Sequence, residues 1–436
     1  MKPSRRHTFA RWLPLSLLLC AALLFGAWFM LPSTAQWLES QTGEDARASQ
    51  LRGLWNLLLN QARPPLQLAP AADIKYVKDI NPFGVNTFLE QEVEVSKRER
   101  TVQMIEESGY GWVRQPFPWA DIEIDAKGDF TDRRNPPARS AWDKYDNIVA
   151  LVNQHHLQLI ARLSAPPAWA HAGYKDLGDF GPPADFNDFA DYVQAVVSRY
   201  KGKVRYYQIW NEPNIYPEWG EQGVNPEDYT KMLCLAYQRA KQVDPDAVII
   251  AAALAANVEQ GGRNMSDLIF LQRMYKAGAG RCFDILSAQG YGLFSGPGDH
   301  RFSPQTTHVA RHVLLRDIMV RYGDAAKPIW LAELNWNAPP PAEEANIQGF
   351  SNYGVVSEAA RARYVPQVYE RARQEWPWVG VMALWYFKRA SDAERNQSWY
   401  YFRLVNPDFT PTPLYDVMQR YIRCRSGPGN AAASCG

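Results

Sequence analysis

The chain has 436 residues, with 47 Lys and Arg against 46 Asp and Glu, and a net charge of +1. That balance gives no electrostatic reason to expect a nucleic-acid partner, and 46% hydrophobic with 21% charged residues excludes a disordered chain. Aromatic residues reach 13%, with 16 Trp, 22 Tyr and 18 Phe; rings this numerous serve either a core or a surface on which sugars stack.

The first eleven residues, MKPSRRHTFAR, are basic, and the 20 residues from Trp12 to Leu31 carry no charge. At 1.5 Å rise per residue such a run matches a hydrocarbon core of ~30 Å. The expected organisation is a cytoplasmic segment at 1–11, a transmembrane signal-anchor helix at 12–31, and everything beyond outside the cytoplasm. Ser33-Thr34-Ala35 offers the small residues of a cleavage site, so secretion after signal-peptide cleavage is the alternative. The apolar run is longer than a usual signal-peptide core, which favours membrane anchoring.

Residues 32–72 read as a juxtamembrane helix, with Leu51, Leu54, Trp55, Leu58 and Leu59 on one face, followed by the linker ARPPLQLAPAAD. The folded domain is expected at 73–423 and a tail at 424–436. Outside the apolar run lie Cys234, Cys282, Cys424 and Cys435. Four thiols in an oxidising compartment allow three pairings; Cys234–Cys282 with Cys424–Cys435 is favoured, since the second pair would close a short tail.

From Asp73 onward, apolar runs alternate with amphipathic helical stretches. The runs, in order, are FGVNTF ending near Asn86, GWVRQPF holding Arg114, LQLIARLSAPP ending near Ser164 and VRYYQIWNEPN holding Asn211. VIIAAALA, FDILSAQGYG, PIWLAELNWN holding Glu333 and VGVMALWYFKR holding Trp385 follow. Eight apolar strands alternating with helices predict an α/β fold, a (β/α)8 TIM barrel, with an open doubly wound sheet as the alternative. In such a barrel the chemistry sits at the C-terminal ends of the strands.

Two carboxylates stand there. The fourth strand ends in Trp210-Asn211-Glu212-Pro213-Asn214, where the proline removes a ladder donor and turns the chain at the rim. The seventh runs Ile329-Trp330-Leu331-Ala332-Glu333-Leu334-Asn335, and a Glu inside such a run is expensive unless it is paired or at the rim. A buried salt bridge with Arg114 is the purely structural reading of Glu333. Two carboxylates facing each other across a barrel mouth suit glycosidic cleavage, one giving a proton and the other attacking or stabilising the anomeric carbon.

This pattern resembles glycoside hydrolase clan A, over most of residues 80 to 423, and within it the cellulase-like and family thirty-nine branch. NPDFTPTPLYDVMQRY, from Asn406 to Tyr421, is similar to the closing loop and helix of such enzymes. The resemblance implies a retaining β-glycosidase acting on an extracellular polysaccharide or oligosaccharide, with Glu212 as acid/base and Glu333 as nucleophile. It further implies that Asn211 bonds the sugar 2-hydroxyl, that Arg114 lies beside Glu333, that Tyr291 donates to Glu333, and that Trp385 floors the cleavage site. Where many clan members carry a His near the end of strand three, this chain has Ser164-Ala165-Pro166-Pro167-Ala168-Trp169.

Trp169, Trp210, Trp219, Trp336 and Trp399 lie at or past strand ends and are read as sugar platforms or loop packing. Asn86 and Gln289 are read as further sugar contacts. His308 and His312 are spaced as on one helix face, but without HExxH or a third ligand they read as a solvated face. No metal or organic cofactor is implied. The competing functional reading is a non-catalytic carbohydrate-binding barrel anchored at the cell surface, whose hallmark would be loss of one of the two Glu residues.

Overall fold

Each of the eight apolar runs forms a strand: β1 Phe83–Asn86, β2 Trp112–Pro118, β3 Gln158–Ser164, β4 Tyr206–Ile209, β5 Val248–Ala251, β6 Leu286–Tyr291, β7 Ile329–Asn335 and β8 Val379–Leu384. They are described in a computed structural model covering residues 9–44, 47–171, 178 and 180–426, with side chains from residue 17 onward. The strands pair in the order β6-β7-β8-β1-β2-β3-β4-β5, every pair parallel. Bridges between Ile250 and Ile285 and between Leu254 and Ala288 join the two edges, giving the (β/α)8 barrel and removing its exposed edges.

Three helices precede the barrel strands: α1 Phe9–Met30, α2 Pro32–Thr42 and α3 Arg47–Gln61. After each barrel strand comes one of α4 Val95–Glu107, α5 Asp143–Gln154, α6 Phe186–Tyr200, α7 Pro226–Val243, α8 Asp267–Lys276, α9 His312–Arg321, α10 Glu358–Glu375 and α11 Pro413–Ser426. Local chemistry sets several of their starts. Asp185 caps α6 by accepting from Asn187 N–H, Asn225 caps α7 ahead of Pro226 at its first position, and Ser357 caps α10.

Alternation along the strands sorts side chains into two sets. One faces the helices, with Val113, Phe117, Ala161, Leu163, Tyr207, Ile209, Leu331 and Leu334 in the main core. The other faces the barrel axis, where Trp112, Ile160, Tyr206, Val248, Ile250, Ile285, Trp330 and Val381 form a separate apolar plug. The rings of Trp112, Tyr206 and Trp330 meet at 4.9 to 5.3 Å between centroids and fill the barrel floor.

The chain divides into two compact units, Met1–Arg63 with Ser295–Arg301, and Pro64–Phe294 with Phe302–Gly436. In the first, α2 and α3 touch closely: a Cβ on Gly53 would lie 2.6 Å from Cβ of Thr42. Gln50 donates to the carbonyls of Ala35 and Glu44 at 3.2 and 2.9 Å. Leu17, Leu23, Leu24 and Trp28 on α1 and Leu51, Trp55, Leu58 and Leu59 on α3 are exposed. Among the described residues no single helix is long and apolar enough to cross a membrane; Leu17–Met30 and Pro32–Thr42, bent by 83°, reach that length and composition only as a pair.

The second unit begins earlier than the expected start at Asp73. Gln67 N–H donates to Asp317 Oδ1 at 2.6 Å, Leu68 O accepts from Arg316 at 3.0 Å, and Leu66 and Leu68 pack on the main core. The Pro- and Ala-rich stretch is therefore docked along the barrel rather than free. Cys234 and Cys282 form a disulfide with Cα atoms 4.8 Å apart, joining α7 to the segment before β6. Cys435 lies outside the described residues, as does the expected Cys424–Cys435 bridge.

Candidate active site

Arg114 organises the barrel mouth. It points inward from β2, one layer above Trp112, and is 2% exposed. Its Nε donates to Gln208 Oε1 at 2.7 Å and its Nη2 to Asn211 Oδ1 at 2.9 Å. Its Nη1 donates to Asn86 Oδ1 at 2.7 Å and to Glu333 Oε1 at 2.8 Å. One guanidinium thus links side chains of β1, β4, the β4 end and β7. A buried ion of this kind is tolerated only when its donors are met, and here each of the three guanidinium nitrogens has a partner.

Glu333 reaches the mouth through an irregularity in β7. Trp330 faces the barrel axis, so strict alternation would place Glu333 among the helices. Instead Ala288 of β6 pairs with Leu331 and Gln289 with Glu333, leaving Ala332 as an extra residue. This bulge reverses the alternation and turns Glu333 inward. Its second oxygen accepts from the Tyr291 hydroxyl at 2.7 Å. Burial, followed by the charges of Glu333 and Glu212, pushes the Tyr291 phenol up, which keeps its proton available for donation.

Glu212 sits on an irregular turn at the end of β4. Trp210 has φ 74° and Glu212 φ 31°, both in the left-handed region that non-glycine residues avoid. Backbone strain of this sort costs about 1–3 kcal/mol per residue and collects at functional sites. It is held by Trp210 N–H on Leu163 O at 2.8 Å and Glu212 N–H on Ala253 O at 3.1 Å. Asn214 anchors the turn further, bonding Ala255 and Met265 at 2.8 to 2.9 Å.

Gln289 Nε2 donates to Glu212 Oε1 at 2.5 Å. The Glu212 carboxyl is pushed well up, first by burial and then by the neighbouring charges of Glu333 and Glu218; the Gln289 hydrogen bond and Arg114 oppose the rise. The two catalytic candidates are therefore close enough to feel each other. Glu333 carries a cation and a hydroxyl donor, whereas Glu212 carries one amide donor.

Arg114, Asn211, Glu333 and Tyr291 come together as one hydrogen-bonded cluster, and Glu212, bonded to Gln289, lies near enough to Glu333 to feel its charge. Asn86 takes a supporting place. It is 1% exposed, both amide hydrogens go to the carbonyls of Ala332 and Leu384 at 2.8 and 3.2 Å, and its oxygen takes Arg114. It has no donor left for a sugar and is sealed from the cleft, unlike its expected role. Gln289, likewise expected to touch sugar, instead serves Glu212 through its amide group.

Trp385 is half-buried beside the site, edge-on to Phe88 at 5.3 Å, and its carbonyl accepts from Asn335 at 2.6 Å. Trp169 is half-buried, edge-on to Trp119 at 5.3 Å, with its indole N–H on Glu123 O at 2.8 Å. Trp336 departs from the expected platform role. It is fully buried, its ring lies edge-on to Tyr364 at 5.4 Å, and a Cβ on Gly292 would lie only 1.9 Å from it. Trp210 and Trp219 are buried against each other at 5.7 Å, and Trp399 remains exposed.

His308 and His312 do not form a solvated face. Helix α9 starts at His312, His308 lies in the preceding turn, and both are buried. Among the described residues no group of three or more His, Cys, Asp or Glu is placed to hold a metal. Sequence reading passed over Gln208, Arg162 and Glu218. Arg162 is one cation in an apolar run, and Glu218 reaches the site only because the loop after β4 folds back.

No protein-family model matches the chain. A β-xylosidase from Geobacillus stearothermophilus is 27% identical over 90 residues, covering 19% of this chain and 18% of that protein. The barrel is the fold of family 39 glycoside hydrolases. A member from the gut symbiont Bacteroides cellulosilyticus superposes with a TM-score of 0.57 at 17% identity, covering 78% of this chain and 62% of that one. A family 39 β-xylosidase from Caulobacter crescentus gives 0.54 at 16% identity, covering 82% and 74%. An exo-β-1,4-mannosidase from an Opitutaceae bacterium gives 0.54 at 15% identity, covering 80% and 60%. The chain thus spans less than two thirds of the first of these structures and under a fifth of the curated β-xylosidase.

Proposed function

We propose that the protein is a retaining β-glycosidase that hydrolyses O-glycosidic bonds of a polysaccharide or oligosaccharide. The observation that carries this reading is the asymmetric pair: Glu212, with raised proton affinity, beside Glu333, fixed by Arg114 and Tyr291. The likeness to family 39 enzymes in fold supports it.

In the first half-reaction Glu212 gives its proton to the leaving glycosidic oxygen while a Glu333 oxygen attacks the anomeric carbon. The carbon–oxygen bond breaks and a glycosyl ester forms. In the second half, Glu212 takes a proton from water, the water oxygen displaces Glu333, and the sugar leaves with its original anomeric configuration. Asn211, oriented by Arg114, would hold the sugar 2-hydroxyl, and Trp385 would lie beneath the ring. The reading extends to location: the apolar N-terminal helix anchors the chain and the barrel works outside the cytoplasm.

Separate Glu333→Gln and Glu212→Ala variants test the chemistry on activated aryl glycosides. Glu333→Gln should abolish turnover. Glu212→Ala should lower it about 10²- to 10⁴-fold on natural glycosides, and azide should restore aryl glycoside cleavage with formation of a glycosyl azide. Proton NMR of the first product should show retention. Full activity in both variants removes the assignment, and sugar binding without turnover in the unmodified enzyme would favour a binding barrel. For location, the full chain should fractionate with membranes, and its barrel should be cut by protease added outside intact spheroplasts.

A further inference from the structure

Arg162 contrasts with Arg114. On β3 it shares the inward face of Ile160, one layer above the apolar plug, and pairs in register with Pro116 of β2 and Gln208 of β4. It therefore stands beside Gln208, which Arg114 engages. Yet its guanidinium has no hydrogen-bond partner among the described residues and no carboxylate oxygen within 4.0 Å, and its Nε is closed off from solvent. An unmet buried donor is costly, and more so when charged.

Across from it lies Glu218. The loop after β4 turns back through Ile215 N–H on Glu212 O at 3.1 Å and Trp219 N–H on Ile215 O at 3.2 Å. The Trp210 indole then pins Glu218 O at 2.8 Å. This brings Glu218 back toward Asn211 at the end of β4. Burial pushes the Glu218 carboxyl up, and the Arg162 charge opposes that, so the two groups are neighbours that do not touch. Glu90, the other carboxylate that Arg162 feels, is occupied by Gln115 at 2.5 Å.

A cation and a carboxylate separated by a gap favour a group that both donates and accepts. A hydroxyl does so, whereas a sugar carboxylate would be repelled by Glu218. We propose that Arg162 and Glu218 form a clamp for a hydroxyl, or a vicinal pair, on the neutral sugar unit bound at Glu212 and Glu333, next to the hydroxyl that Asn211 would take. The proposal rests on the glycosidase reading and adds the residues that choose the sugar.

The test compares unmodified enzyme with Arg162→Met and Glu218→Gln. Substrates are the best cleaved of the p-nitrophenyl β-xyloside, β-glucoside, β-galactoside and β-mannoside, with its 3-deoxy and 4-deoxy analogues. Each variant should lose about 10- to 150-fold in kcat/KM on the parent. On one deoxy analogue the loss should shrink below about threefold, since the hydroxyl that the clamp holds is already gone. Equal losses on parent and both analogues would overturn the clamp, as would a loss confined to p-nitrophenyl β-glucuronide. Arg162→Lys, which keeps the charge, guards against simple misfolding.

Calorimetric binding of xylose, glucose, galactose and mannose to Glu333→Gln, with and without Arg162→Met, separates the two readings. Arg162-dependent binding without any turnover in the unmodified enzyme would sink the catalytic reading and leave the clamp. Absence of both would remove both.

Discussion

At the scale of single residues, the question is what raises the proton affinity of Glu212 beside a second carboxylate. Burial raises it, the Glu333 charge adds to the rise, and the Gln289 amide works the other way by favouring the charged form. Gln289→Leu removes that last influence, so the Glu212 carboxyl should rise further. The alkaline limb of a kcat/KM profile between pH 5 and 9 should then move to higher pH; an unmoved or lowered limb would separate Glu212 from that limb. The carboxylates themselves were legible in the chain, because a Glu ending an apolar strand has no inexpensive structural role. What their neighbours do was less legible. Asn86 shows that a polar residue can be placed at a strand end without revealing that both its amide hydrogens are spent on carbonyls. Trp336 shows the same for rings, since nothing in the residue order tells a platform from a ring sealed under Gly292.

Among the elements, the strands were read well and α9 was not. All eight apolar runs became barrel strands because each must be hydrophobic on both faces, one toward the helices and one toward the plug. Helix α9 is buried from His312 through Met319, so the polar residues in it do not mark a wet side. His312 lies edge-on to Trp376 at 4.3 Å with neither ring nitrogen bonded. Burial, with help from Arg371 and His308, pushes it down to about 3. An unfolded His takes up its proton near ~6.5. Between those values the unfolded chain holds more protons than the folded one, so His312 draws stability down as pH falls through that window. The thermal midpoint of His312→Phe should therefore fall less between pH 7 and 4.5 than that of the unmodified protein. An equal fall would mean that other groups set the acid sensitivity.

For the whole molecule, the division at Arg63 and the docking of residues 66 to 68 leave little free chain before the barrel. Residue order suggested a linker there from its Pro and Ala content, but composition cannot show that Leu66 and Leu68 have apolar partners near α9. Within the barrel unit the Cys234–Cys282 bridge closes a separation of 48 residues. In the chain-entropy view a loop of that size is worth about 4 kcal/mol. Replacing both cysteines by Ala should lower the unfolding free energy by about that amount in guanidinium titrations under oxidising conditions. No change would mean that the bridge does not form in the folded protein.

The extra residue in β7 makes the position of Glu333 a matter of parity. Inserting one residue between Ala332 and Glu333 would leave every side chain of the strand in place chemically, yet odd and even would trade sides from that point on. Glu333 would then swing into the oily layer beneath the helices, and Leu334 would take its seat in the cleft. The strand therefore carries its chemistry as a count as much as a composition, and lengthening it by one residue ahead of Glu333 would disturb the site more thoroughly than most substitutions within it.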